Sequence, residues 1–250
     1  MRMRVLVVNP NTTALMTETI AGAARAAAAP GTSIEAVTST MGPASIEGYY
    51  DEALAIPGLL AEIRKGEANG ADAAVIGCFD DTGLDAARAQ AGIPVIGPCE
   101  AALALASFVA QRFCVVTLSE RSRVPLEDLV RRYGMGSRAC VRAVGVPVLS
   151  LEEPESGAGT RLREEIARAL KADRAEAIIL GCAGLADLAA RLQSEFGVPV
   201  IDGVSAAVKQ AEALVSLDLS TSKRGAYALP AGKGYSGLLA GFAPVTQVPA

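Results

Sequence analysis

The chain has 250 residues, 51% of them hydrophobic, with a formal net charge of -4 and no histidine. That length and apolar content suit one large domain or two small ones, and they exclude disorder as the main state. The lack of a basic block argues against a nucleic-acid surface, and the lack of histidine excludes Ser-His or Cys-His hydrolases and His-ligated metal sites.

No apolar run is long enough to cross a bilayer. The basic start, Met-Arg-Met-Arg, precedes an apolar stretch that breaks at Asn9-Pro10-Asn11, so it reads as a first strand rather than a leader. Five cysteines without close CxxC pairing read as free thiols of a reducing, cytoplasmic compartment.

Arg4 to Asn9 is Val-rich, as a strand buried on both faces should be. Thr12 or Thr13 is an N-cap candidate for a helix running to Ala29, where Pro30-Gly31 ends it. A strand over Ser33 to Thr38, a loop over Met41 to Tyr50 and a helix to about Asn69 follow, with Pro57 expected to kink that helix or mark its start. Asp72 to Pro98 then reads as strand, Gly-bearing turn, Ala-rich helix and a brief strand at Val95-Ile96. Helices are predicted at Glu100 to Arg112 and Arg123 to Tyr133, with strands at Phe113 to Thr117 and Cys140 to Val144. After a polar loop at Glu152 to Gly159 and an amphipathic helix at Thr160 to Asp173, the pattern of Asp72 to Pro98 recurs. A helix over Val204 to Leu217 and a Gly/Pro-rich tail with one short helix close the chain.

The recurrence organises the chain. Gly77-Cys78 matches Gly181-Cys182, and Ile93-Pro94-Val95-Ile96 matches Val198-Pro199-Val200-Ile201. Alternating strands and helices give an α/β class: two similar Rossmann-like halves with mostly parallel four-stranded sheets, related by a pseudo-twofold axis. Pro98 and Gly203 are natural crossing points between the halves.

Cys99, Cys114 and Cys140 fit the ordinary role of a free thiol, a small buried hydrophobe. Cys78 and Cys182 end equivalent strands, where open α/β sheets bind ligands. The turn after each places backbone N–H groups and a helix end near sulfur, surroundings that lower a thiol's pKa toward neutrality. The preceding glycines would let a ligand approach the backbone closely. The pattern alone leaves active and structural roles for this pair equally open. If the halves face each other, one sulfur can remove a proton from a carbon acid while the other returns one to the opposite face, with no metal and no cofactor. Backbone N–H groups can stabilise the enolate.

Val-Val-Asn-Pro-Asn-Thr at the start, Gly-Pro-Ala-Ser-Ile-Glu, Gly-Cys-Phe-Asp-Asp-Thr-Gly-Leu, Leu-Gly-Cys-Ala-Gly-Leu-Ala-Asp, Val-Pro-Val-Ile-Asp-Gly-Val and Thr-Ser-Lys-Arg-Gly together resemble the hydantoin racemases, of the aspartate/glutamate/hydantoin racemase superfamily. The resemblance spans nearly the whole chain. It implies an N-terminal domain completed by the C-terminal segment, residues 1–98 plus 204–250, and a second domain at 99–203. It implies cofactor-independent racemisation by two cysteines, Cys78 and Cys182 here, usually in a homo-oligomer, on a small-molecule hydantoin-type substrate with neither nucleic acid nor membrane as partner. The closest branches act on 5-monosubstituted hydantoins or on allantoin. Amino-acid racemases of the superfamily typically carry Cys-Asn-Thr and Cys-Thr where this chain has Cys78-Phe79-Asp80 and Cys182-Ala183-Gly184. Decarboxylases of the superfamily keep only the second cysteine. The Asp80-Asp81-Thr82-Gly83 turn departs from the Gly-Asp-Pro-Gly of many hydantoin racemases, and an acid beside Cys78 opposes its ionisation.

By position, Asn11 would hydrogen-bond a ring carbonyl or N–H, or only cap the next helix. Ile46 and Phe79 would wall the site for a 5-substituent, or pack in the core. Thr117-Leu118 ends a strand on the same rim, and Ala183 and Gly184 offer backbone donors beside Cys182. A binding module that clamps a ligand without chemistry is the non-catalytic alternative.

Overall fold

The computed structural model describes residues 3–148, 150 and 157–244. Two four-stranded parallel sheets, each flanked by helices, make a two-domain α/β fold. The first sheet has the order β2-β1-β3-β4, from β1 (Met3–Asn9), β2 (Thr32–Thr38), β3 (Ala73–Ile76) and β4 (Val95–Ile96). The second repeats it as β6-β5-β7-β8, from β5 (Phe113–Thr117), β6 (Ala139–Ala143), β7 (Ala177–Leu180) and β8 (Val200–Asp202). The equivalent central pairs are in register, Val8 with Ile76 and Val116 with Leu180. Gly77 and Gly181 continue this match, donating their N–H groups to Val8 and Val116 at 2.7 and 2.8 Å. The apolar strands form because parallel strands covered on both faces tolerate little polarity.

Helices α1 (Ala14–Ala27), α2 (Tyr49–Ala68) and α3 (Leu84–Gln90) belong to the first half of the chain. Helices α4 (Pro98–Val109), α5 (Arg123–Arg132), α6 (Ala158–Ala172), α7 (Ala189–Phe196) and α8 (Gly203–Ser216) follow. One hydrophobic cluster runs from Val5 and Val75 through Leu103 and Ala106 of α4 and Val204 and Ala207 of α8 to Val115 and Ile179. The two sheets therefore share a core. Asp202 caps α8 by accepting the Ser205 N–H at 2.7 Å. The C-terminal segment returns to α3, where Lys223 Nζ donates to the Arg88 carbonyl at 2.6 Å and the Tyr227 hydroxyl to Asp85 at 2.9 Å.

Pro57 lies inside α2, eight residues after its first residue Tyr49, so it does not mark the start of the helix. A proline costs a helix about 3 kcal/mol, but burial of Ala55, Leu59 and Ile63 on either side of it offsets that cost. Thr13 is the residue before α1, yet its hydroxyl donates to the Ala44 carbonyl and caps nothing. The repeat of strand, turn and helix is also imperfect. After Cys182 the chain makes a 3-10 turn, Ala183–Leu188, before α7 begins. The tail carries two short 3-10 turns, Gly225–Tyr227 and Gly237–Phe242, instead of one helix. Most of the expected loop at 152–159 lies outside the described residues.

Candidate active site

Strands β3 and β7 are each followed directly by Gly-Cys, and these strand ends open into one cleft. Asn11, Met16, Ile46, Gly77, Cys78, Phe79, Asp80, Thr117, Ser122, Val148, Gly181, Cys182 and Ala183 line it. The cleft thus brings together both expected cysteines and five of the seven expected binding residues. Gly184 lines a neighbouring depression, which shares Met16 and Val148 with the cleft. Its N–H points at Cys182, where it favours the thiolate. Leu118 is fully buried in the core of the second half and does not reach the cleft. Successive strand residues face opposite ways, so the step from Thr117 to Leu118 turns the side chain from cleft to core.

Asn11 lines the cleft and braces the turn that leads into α1. Its Oδ1 accepts from Asn9 Nδ2 and from the Thr13 N–H, both at 2.9 Å. Its Nδ2 meets Met16 Sδ at 3.5 Å, a weak acceptor that leaves this donor free for a ligand. Thr117 donates its hydroxyl to the Gly181 carbonyl at 3.0 Å and fixes the strand end that carries Cys182. Gly77 and Gly181 serve close approach, but to protein. A Cβ at Gly77 would lie 2.9 Å from the Val8 carbonyl oxygen, and one at Gly181 2.9 Å from Val115 Cγ1.

The thiols are half-buried, with their open sides in the cleft. Their ionisation overturns the expected lowering. Burial, then the Asp80 carboxyl, pushes Cys78 well above the usual thiol range, while Thr82 and a backbone N–H pull it back in part; Cys182 adds a small upward push. Burial pushes Cys182 up to about 12, against the single Gly184 N–H. Burial outweighs the turn donors at both positions, and neither turn runs directly into an α-helix: α3 starts at Leu84 and a 3-10 turn follows Cys182. Both sulfurs are therefore protonated in the empty cleft.

Two groups of the Asp80-Asp81-Thr82-Gly83 turn take places by the cleft, and a third near it, Glu52, had no sequence signal. Thr82 has a buried hydroxyl without a fully formed hydrogen bond, close enough to Cys78 to favour its thiolate. Asp80 lines the cleft with a carboxyl that makes no hydrogen bond among the described residues. Glu52, on α2, acts on Asp80 electrostatically and has a buried, unpartnered Oε1. Lys223 and Arg224 lie away from the cleft, the former spent on Arg88.

The remaining cysteines have other surroundings. Cys99 is fully buried and its N–H caps α4 on Asp81. Cys114 and Cys140 pair across β5 and β6, and with Asp173 they place two sulfurs and an oxygen within 4.8 Å of one another. Arg142 already holds both Asp173 oxygens, and Cys140 donates to the same carboxylate at 3.5 Å.

A two-domain α/β protein with cysteines at equivalent strand ends of one cleft has the layout of an isomerase. Residues 5–211 match the sequence profile of the Asp/Glu/Hydantoin racemase family. The chain belongs to that family, and it is an isomerase of the racemase class. It is 51% identical over 242 residues to a hydantoin racemase of Pseudomonas sp., covering 96% of this chain and 97% of that one. A hydantoin racemase of Paenarthrobacter aurescens is 44% identical, at 93% and 100% coverage. The solved allantoin racemase from Klebsiella pneumoniae superposes with a TM-score of 0.94 at 49% identity, covering 97% of this chain and 100% of that chain. A glutamate racemase from Francisella tularensis, 18% identical with a TM-score of 0.63, shares the fold.

Proposed function

We propose that the chain racemises 5-monosubstituted hydantoins by a two-base mechanism, with Cys78 and Cys182 on opposite faces of the ring. The observation that carries this reading is the opening of two equivalent strand-end thiols into one cleft. One sulfur, as thiolate, takes the hydrogen at C5 as a proton, and the C–H electron pair passes into an enolate. The other, as thiol, gives a proton to the far face of C5. The roles of the two sulfurs are then exchanged, and turnover runs in either direction. Asn11 Nδ2 and the Ala183 backbone are the donors for ring oxygens, the Gly184 N–H serves Cys182, and Phe79 and Ile46 form the apolar wall.

The charge of the cleft supports a neutral ring over a free amino acid. Among the described lining residues there is no Lys or Arg, whereas Asp80 lines the cleft and Glu47 acts on Cys182 electrostatically. A free α-carboxylate would be desolvated there without a counter-charge. Substrate and domain boundaries go together: we place the halves at 1–98 plus 204–250 and 99–203, because α4 and α8 begin at Pro98 and Gly203 and the tail returns to α3.

Allantoin is the second reading, favoured by the 49% identity to a solved allantoin racemase. Optical rotation followed with single enantiomers of alkyl and aryl hydantoins, allantoin, aspartate and glutamate decides between them. Fastest loss of rotation with an alkyl or aryl hydantoin supports the main reading, fastest loss with allantoin the second. Racemisation confined to the amino acids overturns both.

A further inference from the structure

Asp80 is the side chain in the cleft that neither the two-thiol scheme nor the fold employs. Its neighbour Asp81 is fully used, accepting the Cys99 and Glu100 N–H groups and the Tyr133 hydroxyl. Asp80 is only 8% exposed, lines the cleft and has no hydrogen-bond partner among the described residues. Its carboxyl lies within electrostatic reach of both Cys78 and Cys182. Its oxygens keep their remaining exposure and no protein partner, so a ligand in the cleft can reach them.

We propose, building on the racemase reading, that Asp80 is a catalytic carboxylic acid that grips the amide edge of the ring, donating its O–H to the carbonyl beside the racemising carbon and accepting the adjoining N–H. A carboxylic acid and a cyclic amide edge match as a two-hydrogen-bond pair, since each offers one donor and one acceptor on the same side. The carbonyl that Asp80 meets becomes the enolate oxygen when the C5 proton leaves. The bond to Asp80 therefore strengthens in the transition state, as effective catalysis requires. The Asp80 proton stays on Asp80 throughout, and the moving protons remain those of the thiols and C5.

The surroundings keep the acid neutral. Burial is the first cause that raises Asp80 well above the ordinary carboxyl range, followed by Glu52 and Asp81. Glu52 itself is raised by burial and by Asp51, and its Oε1 is buried without a partner. Two neighbouring carboxyls in a site without a cation among the described lining residues do not both ionise. A neutral Asp80 also lifts the objection that an acid beside Cys78 opposes thiolate formation.

The test uses the full chain and 5-substituted hydantoin enantiomers, with Asp80→Asn and Asp80→Ala, both checked for unchanged melting. Loss of an oxyanion donor typically lowers kcat about 10²- to 10³-fold. Asp80→Ala is expected to show that loss in kcat with a smaller change in KM. Asp80→Asn, which keeps a donor and an acceptor in the same shape, should stay within about tenfold and lose the alkaline decline of the wild type. The pH profile of Cys78 alkylation by iodoacetamide, read peptide by peptide, should be the same in wild type and Asp80→Asn at neutral pH. An ionised Asp80 predicts the reverse: both variants faster at neutral pH, and Cys78 alkylated at lower pH. That result, or an Asp80→Ala variant with wild-type kcat, overturns the proposal. A wild-type protein that racemises no hydantoin refutes the racemase reading itself and takes the catalytic role of Asp80 with it.

Discussion

The Tyr133 hydroxyl, at the end of α5 in the second half, donates to Asp81 Oδ2 in the first half at 2.7 Å. The same carboxyl holds the N-terminus of α4 through the Cys99 and Glu100 N–H groups at 2.9 and 3.0 Å. One side chain therefore ties the turn after Cys78 to both elements that lead into the other half.

This tie has a pH dependence. Burial outweighs the three donors and pushes Asp81 up to about 7, from an ordinary 3.8. The folded state then binds more protons than the unfolded state between those values. The contribution is fully present below about pH 4 and is lost as pH rises through about 7. Melting followed from pH 5 to 8 should fall more steeply for wild type than for Asp81→Asn, which does not titrate. Parallel curves would show that Asp81 is ionised in the folded protein at pH 5. Tyr133→Phe leaves the two backbone donors in place and should cost about 1 kcal/mol by denaturant titration.

Cys78→Ser and Cys182→Ser should each abolish racemisation. Each variant retains one sulfur facing one side of C5, so each should still exchange solvent deuterium into a single enantiomer, and the two variants into opposite ones. NMR of hydantoin enantiomers in deuterated buffer reads this directly. Racemisation at wild-type rate by either variant would eliminate the two-base scheme.

The proposed reaction needs one thiolate, while burial raises both thiols above the usual range, Cys182 to about 12. Below such a value the thiolate fraction grows about tenfold per pH unit. Log kcat/KM should therefore climb with a slope near one between pH 6 and 8. A flat profile there would mean that a thiolate is already present in the empty cleft.

Gly77→Ala and Gly181→Ala should both destabilise the protein, by about 1–3 kcal/mol as overpacked sites do. Gly77→Ala should cost more. Its Cβ meets backbone, the Val8 carbonyl oxygen at 2.9 Å and Asn9 Cα at 3.1 Å, whereas Gly181 faces the Val115 and Thr117 side chains first. Chemical denaturation of the two variants gives the order, and a reversed order would place the tighter constraint at the second copy.

The parts of the site that could be read beforehand are those fixed by local sequence. Gly77-Cys78 and Gly181-Cys182 stand at the ends of apolar runs, and the end of a parallel strand is set by the run itself. Ile46, Phe79, Thr117 and Ala183 followed from their places beside those ends. Leu118 was misplaced because a strand edge was read without its alternation. Glu52 was hidden because it acts on Asp80 from α2, an effect that exists only once the fold brings α2 beside the turn after β3. Met16, Ser122 and Val148 arrive from separate loops and helices with no shared spacing to betray them. The thiol pKa shift was misjudged because sequence shows a turn after each cysteine but not how deeply that turn is buried.

Protonated sulfur has a further consequence. Peroxide and disulfide-exchanging thiols attack or are attacked through the thiolate, so a sulfhydryl held neutral by its enclosure is slow to oxidise. On the two-thiol reading, oxidation is confined to the part of each cycle in which Cys78 or Cys182 carries the charge.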